Sequence, residues 1–526
     1  MIPLLINSKD RLFIAIIIST AFFIYSPSIR IPFITDEISF VQRNEISTLL
    51  NAPNLLKFKE YDGGYYRPMP NLISGIETLS FRYNYSLYRI FNIALHSLAG
   101  VLIYLLILKL PINDVKKNLV ALFSSLFFIT FPTNDYSVIW HTDLFDRLMV
   151  IFYISALLVF VKNKFRPDFL SITFYFLALL SKEMAFSFPL IAGLLCFCFG
   201  SDKNKFKEAL FSTFPYLIVA IIIILFRWIA LGNNIFTVTD AHSIGTFTDI
   251  TKNYFLFCGL LVFPFYLRSI QEFFLLQHIL FIIPAIIIII IFLIFFVKRR
   301  KNLNIVLTFF ILFILLTIAP SSRLLMRWYL YLPSIGLSGG LAYFIFSLKF
   351  RNSTVPVEIA IIILLIYSGA LTYNVFKWVE TSNNAITALN NFIKQNRNEI
   401  IKDGQADFIT IPAKIDDIPV FQLGFDKLFN FYLKSNKPVT VKILTKSYIS
   451  SFYDSISTSF NKDGIFVKQI SDNYFILFND EENVKFENML YKNGKLIEVT
   501  IGNQEINNKI LYTFSNEIFY KTRGIK

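Results

Sequence analysis

Ile279–Val297 reads ILFIIPAIIIIIIFLIFFV, Lys298–Lys301 reads KRRK, and Ile305–Ala319 reads IVLTFFILFILLTIA. These two apolar runs joined by a short basic turn decide the fold class. A helix needs about 20 apolar residues to cross the ~30 Å hydrocarbon layer, and a backbone in lipid must close its hydrogen bonds internally. Lys and Arg between such runs mark the cytoplasmic ends of membrane helices. The alternation recurs through most of the chain. Spans are expected near 12–27, 88–110, 118–132, 147–161, 169–181, 184–200, 210–231, 276–297, 304–319, 329–348 and 355–376. The expected fold is an α-helical polytopic membrane protein with about 11 transmembrane helices.

Composition agrees. Of 526 residues, 55% are hydrophobic and 16% charged, which excludes an ordinary soluble domain. The net charge of +14 lies largely in Lys9/Arg11, Lys116/Lys117, Lys162/Lys164/Arg166, Lys203/Lys205/Lys207, Lys298–Lys301 and Lys349/Arg351. With the N-terminus inside, all of these clusters face the cytoplasm, so they read as topology signals and not as a nucleic-acid surface. Counting residues 253–270 as a span would reverse Lys298–Lys301. That stretch also holds Pro264 and Arg268, so an outer re-entrant or interfacial segment is expected there. Cys196, Cys198 and Cys258 lack metal-site spacing and read as packing residues.

Beyond residue 376 the apolar runs shrink to strand length. Asp407–Ile411, Pro438–Ile443 and Tyr474–Phe478 predict strands, and Phe425–Leu433 predicts a helix. The division expected is a membrane domain over 1–376 and a small extracytoplasmic α/β domain over 377–526.

Three outer segments carry the chemistry: 28–87, 133–146 and 232–253. The first holds Asp36–Glu37. Adjacent carboxylates raise each other's proton affinity, and such a group can take a proton from an attacking hydroxyl. Tyr65–Pro70 (YYRPMP) offers Arg67, whose guanidinium fork matches a phosphate, on a segment stiffened by Pro68 and Pro70. The second segment contains Asp135, His141, Asp143, Asp146 and Arg147. They offer a second acid or oxygen ligands for a divalent cation, Mg2+ or Mn2+. Asp146–Arg147 also reads as an ion pair capping the next helix.

Ser181-Lys182-Glu183 interrupts two apolar runs. Its Lys and Glu read either as a salt bridge with each other or as a cation beside a phosphate leaving group. Arg323, Arg327 and Tyr331 offer a similar choice, with Arg327 and Tyr331 an i, i+4 pair on one helical face. His96, His242 and His278 have no partner pattern and read as structural.

The order of these motifs resembles the integral-membrane GT-C glycosyltransferases over roughly residues 10–376. It is similar above all to the protein O-mannosyltransferase-like and tetratricopeptide-bearing O-mannosyltransferase groups and their bacterial relatives. The residues that carry the likeness are Asp36-Glu37, Tyr66-Arg67-Pro68, Phe131-Pro132, Ser181-Lys182-Glu183 and the run from Arg327 to Ser334 (RWYLYLPS). The resemblance implies transfer of a sugar from a polyprenyl-phosphate or polyprenyl-diphosphate donor to a hydroxyl of a protein, lipid or glycan, with inversion. It implies Asp36 as base with Glu37 its neighbour, and Arg67, Lys182 and Arg327 on the donor phosphate. Asp135 becomes the second acid, and Glu183, His141 and Tyr331 further candidates. It also implies residence in a bacterial inner or plasma membrane, among its lipids, with no nucleic-acid partner. The chain departs from those relatives at Phe131, where they carry His, and its tail lacks tetratricopeptide periodicity. A transporter or flippase for an amphiphilic substrate is the rival class. Transporters place polar sites near the midplane, whereas these motifs crowd one rim.

Overall fold

A computed structural model of the chain describes residues 7–56, 65–112, 116–200, 204–231, 247–264, 301–322 and 326–449, with the strand segments between 456 and 523. The expected span near 276–297, Lys203, Arg268, residues 298–300 of the basic turn, His242, His278, Arg323 and Tyr474 lie outside the described residues.

The described residues are mostly helical, with a sheet region at the C-terminal end. Among the described residues five helices are long and apolar enough to cross a membrane: Ser8–Arg30, Tyr85–Lys109, His141–Lys162, Lys205–Leu231 and Val355–Asp403. Lys117–Ile129, Phe169–Leu179, Glu183–Phe199, Ile250–Val262 and Ile305–Ser321 are apolar but shorter. Local signals set several helix starts. The Asn7 side chain accepts from Asp10 N at 2.8 Å, and Asp168 and Ser171 form a reciprocal capping box. Helix Lys205–Leu231 turns Phe211, Phe214, Ile221, Leu225 and Trp228 outward. An exposed apolar face of that size belongs against lipid tails. Elsewhere small residues let helices close up. A Cβ on Gly339 of helix Pro333–Ser347 would lie 2.3 Å from Phe310 Cε1 of helix Lys301–Ile318.

Contacts divide the chain into two units. One holds the helices through Val375. The other holds the chain from Phe376 onward and also Arg30–Arg43, a piece of the first outer segment. The expected span 355–376 is the apolar start of one continuous helix, Val355–Asp403, of 49 residues. A third to a half of that length suffices to cross the bilayer.

The second unit contains strands β1 (Gln405–Ile415), β2 (Ile418–Pro419), β3 (Thr440–Ile449), β4 (Ile456–Asn461), β5 (Gly464–Gln469), β6 (Phe475–Phe478), β7 (Phe486–Lys492), β8 (Lys495–Gly502), β9 (Ile510–Ser515) and β10 (Ile518–Arg523). One sheet runs β10-β9-β1-β3-β6 with β2 beside β1, and the other runs β4-β5-β8-β7. β1 is parallel to both β3 and β9, and its residues Ala406–Ala413 are buried throughout. Burial along the whole stretch is what a parallel strand covered on both faces shows. Helix Phe425–Leu433 lies in the crossover from β1 to β3. It packs Phe425 and Phe429 on Phe408, with ring centroids 5.3 and 5.6 Å apart.

Candidate functional site

In the first unit, Arg67 immediately precedes Pro68, the first residue of helix Pro68–Phe81. Proline fits there because its fixed φ suits the first turn and its missing N–H has no helical partner to lose. Met69 N donates to Leu180 O at 3.2 Å, which brings this helix start against the end of helix Phe169–Leu179. Arg67 thereby reaches Glu183. Its Nε lies 3.2 Å from both carboxylate oxygens and its Nη2 2.6 Å from Oε2. Arg227, from helix Lys205–Leu231, adds Nη1 at 2.7 Å from Oε1. Tyr65 and Phe145 flank Arg67, their ring centroids 4.2 and 4.9 Å from the guanidinium carbon. The three charged side chains are 12%, 11% and 27% exposed for Arg67, Arg227 and Glu183, so the cluster is enclosed but reachable.

Lys182 does not pair with Glu183. Its backbone is extended (φ −161°, ψ 150°), and consecutive side chains on extended backbone point to opposite sides. Lys182 Nζ meets Asp146 Oδ2, has Asp143 Oδ1 at 3.9 Å, and lies 4.6 Å from the Tyr329 ring centroid. Asp146 and Arg147 likewise part company. Neighbours on a helix lie about 100° apart, and Arg147 points to Asn92 Oδ1 (2.8 Å) and His141 O (3.0 Å).

The second outer segment is not the polar loop its composition suggests. It folds into short helical turns, Pro132–Asn134, Asp135–Ile139 and His141–Asp143, and nearly every residue is buried. Buried carbonyls need donors, and arginines supply them. Arg89 donates to Ile139 O at 2.6 Å and Arg147 to Trp140 O at 3.3 Å, besides its bond to Ser137 O. Asp135 Oδ1 stands 3.6 Å from Arg327 Nη2. His141 sits between Glu77 (Nε2 to Oε2, 3.5 Å) and Asn92 (Nδ1 to Oδ1, 3.2 Å). Burial pushes the Glu77 carboxyl up to about 8, although the nearby Arg147 charge pulls it down.

Arg327 and Tyr331 do not share a helical face. Arg327–Leu330 is a 3-10 turn, and the helix proper begins only at Pro333. With about three residues per turn, positions i and i+4 no longer align. Arg327 faces Asp135, whereas the Tyr331 hydroxyl lies 2.8 Å from His96 Nδ1. Arg227 escapes sequence reasoning as a span end, although a lone arginine in an isoleucine-rich run is itself a signal. Glu77 and Asn92 carry no motif at all. Among the described residues no group of three or more His, Cys, Asp or Glu is arranged to hold a metal ion.

Asp36 and Glu37 belong to the second unit. Glu37 opens helix Glu37–Arg43 and is fully buried, its Oε2 accepting Ile34 N at 3.0 Å. That carboxylate closes the turn that precedes its helix. Asp36 is partly exposed, and its carbonyl accepts Phe40 N at 2.9 Å. Of the adjacent pair, Asp36 is the one that keeps exposed surface.

No protein-family model matches the chain, and no curated protein matches it.

Proposed function

We propose that the protein is a membrane glycosyltransferase of the GT-C kind, with about eleven spans, that moves a sugar from a polyprenyl-phosphate or polyprenyl-diphosphate donor to a hydroxyl. The observation that carries this reading is the closure of Arg67 and Arg227, from distant parts of the chain, on one partly exposed carboxylate. Two guanidiniums converging on one anion make the arrangement that also suits a phosphate group. Tyr65 flanks Arg67, and the two guanidiniums outnumber the one carboxylate they share, so a departing phosphate meets net positive charge in an enclosed setting. The wide apolar face of helix Lys205–Leu231 suits a substrate that arrives in lipid.

In this mechanism the donor phosphate takes its place beside Arg67, Arg227 and Lys182. Asp36 removes the proton of the acceptor hydroxyl as its oxygen bonds to C1. The C1–O bond to phosphate breaks through an oxocarbenium-like state, and the configuration inverts. Glu37, bonded to Ile34 N, holds the turn that carries Asp36. The N-terminus lies inside and the C-terminal domain outside.

The test is incubation of purified protein with a panel of radiolabelled polyprenyl-phosphate sugars and identification of the labelled product. Asp36→Asn is expected to abolish transfer while retaining donor binding. Wild-type turnover by that variant, or label that stays on the lipid with every donor and acceptor tried, ends the reading.

A further inference from the structure

The C-terminal domain holds more than its own core. Within the second unit its loop Val420–Gly424 and helix Phe425–Leu433 grip the turn that carries Asp36. Thr35 N donates to Val420 O at 2.8 Å, and Leu423 N donates back to Thr35 Oγ1 at 3.2 Å. Tyr432 OH donates to Phe33 O at 3.1 Å, and the Phe33 and Phe431 rings meet edge to face at 6.1 Å. Thr35 takes a left-handed φ of 45°, a conformation a β-branched residue adopts only when its surroundings enforce it. Gly424 also lies in the left-handed region, at φ +61°. A Cβ there would sit 2.4 Å from Ser39 Oγ and 3.1 Å from the Asp36 Cα, so only glycine lets the two backbones approach this closely.

We infer that the Val420–Gly424 loop is the positioning element for the Asp36 carboxylate, with Thr35 and Gly424 as positioning residues. The inference rests on Asp36 serving as the base. It assigns the C-terminal domain a part in the chemical step, in addition to any contact it makes with the acceptor. A base displaced by roughly 1 Å loses on the order of a hundredfold in rate. Because these residues act through Asp36 and not on the donor, the loss falls on kcat and leaves the donor KM in place.

The experiment compares Thr35→Val, Thr35→Ser, Gly424→Ala, Tyr432→Phe and Asp36→Asn in the transfer assay, with hydrogen exchange of residues 30–43 measured on each full-length variant. Thr35→Val keeps the shape and removes the hydroxyl; Thr35→Ser restores it. Thr35→Val and Gly424→Ala are expected to lose about a hundredfold in kcat at unchanged donor KM, and to exchange faster over 30–43. Tyr432→Phe is expected to show a smaller loss of the same kind, and Thr35→Ser to stay near wild type. A loss confined to KM, a loss shared equally by Thr35→Ser, or unaltered exchange in Gly424→Ala overturns the positioning role. Wild-type kcat in Thr35→Val beside a dead Asp36→Asn does so too, and leaves the transferase reading standing. Full activity in Asp36→Asn removes the transferase reading itself.

Discussion

At Glu77 a carboxyl group lies 3.5 Å from the His141 ring, 2% exposed, in a helix whose sequence gives no hint of it. Its proton affinity has a consequence for stability. Below 4.5 the group is protonated in the folded and the unfolded chain alike. Between 4.5 and about 8 only the unfolded chain ionises, so the unfolded state binds fewer protons and stability falls as pH rises. Above about 8 both states are ionised and the loss levels off. The difference in Tm between wild type and Glu77→Gln, followed across that window in detergent, is therefore expected to drift against the wild type and then flatten. A flat difference throughout would mean Glu77 ionises normally. Single residues were also where reading by adjacency failed. Lys182 and Glu183 stand out in any hydropathy trace, but their partners, Asp146 for one and Arg67 with Arg227 for the other, come from three other elements.

Elements were far more legible. Helix Phe425–Leu433 has the bounds its periodicity predicts, and β1 and β3 cover most of the runs read as strands. Alternation and helical period are local properties that packing had no reason to override. The segment 133–146 shows the opposite case. Its polar composition reads as an exposed loop, and it is buried with Arg89 and Arg147, from outside the segment, satisfying its carbonyls. Nothing in the segment itself announces those donors. The outward face of helix Lys205–Leu231 supports a prediction at this scale. Ile221 is exposed midway along it, so Ile221→Lys places a charge in the hydrocarbon layer at a cost of about 2.5–3.5 kcal/mol. Membrane-fraction yield of that variant should drop sharply. On a water-facing helix the same change would be neutral.

For the molecule as a whole, the proposed topology is the claim most open to direct measurement. An impermeant thiol reagent in a cysteine-free background should label a cysteine at Lys164 only from the cytoplasmic side and one at Lys437 only from the outer side. Labelling of both from one side would undo the charge-based topology. The apolar helices and the change to an α/β tail follow from sequence, because hydropathy and strand-length periodicity act over short stretches of chain. The tertiary structure alone decided which charges meet. Salt-bridge partners, the burial of 133–146 and the grip of Val420–Gly424 on the Asp36 turn join residues far apart in the chain. Such contacts depend on how elements stack, and side-chain order along the sequence does not encode that stacking locally.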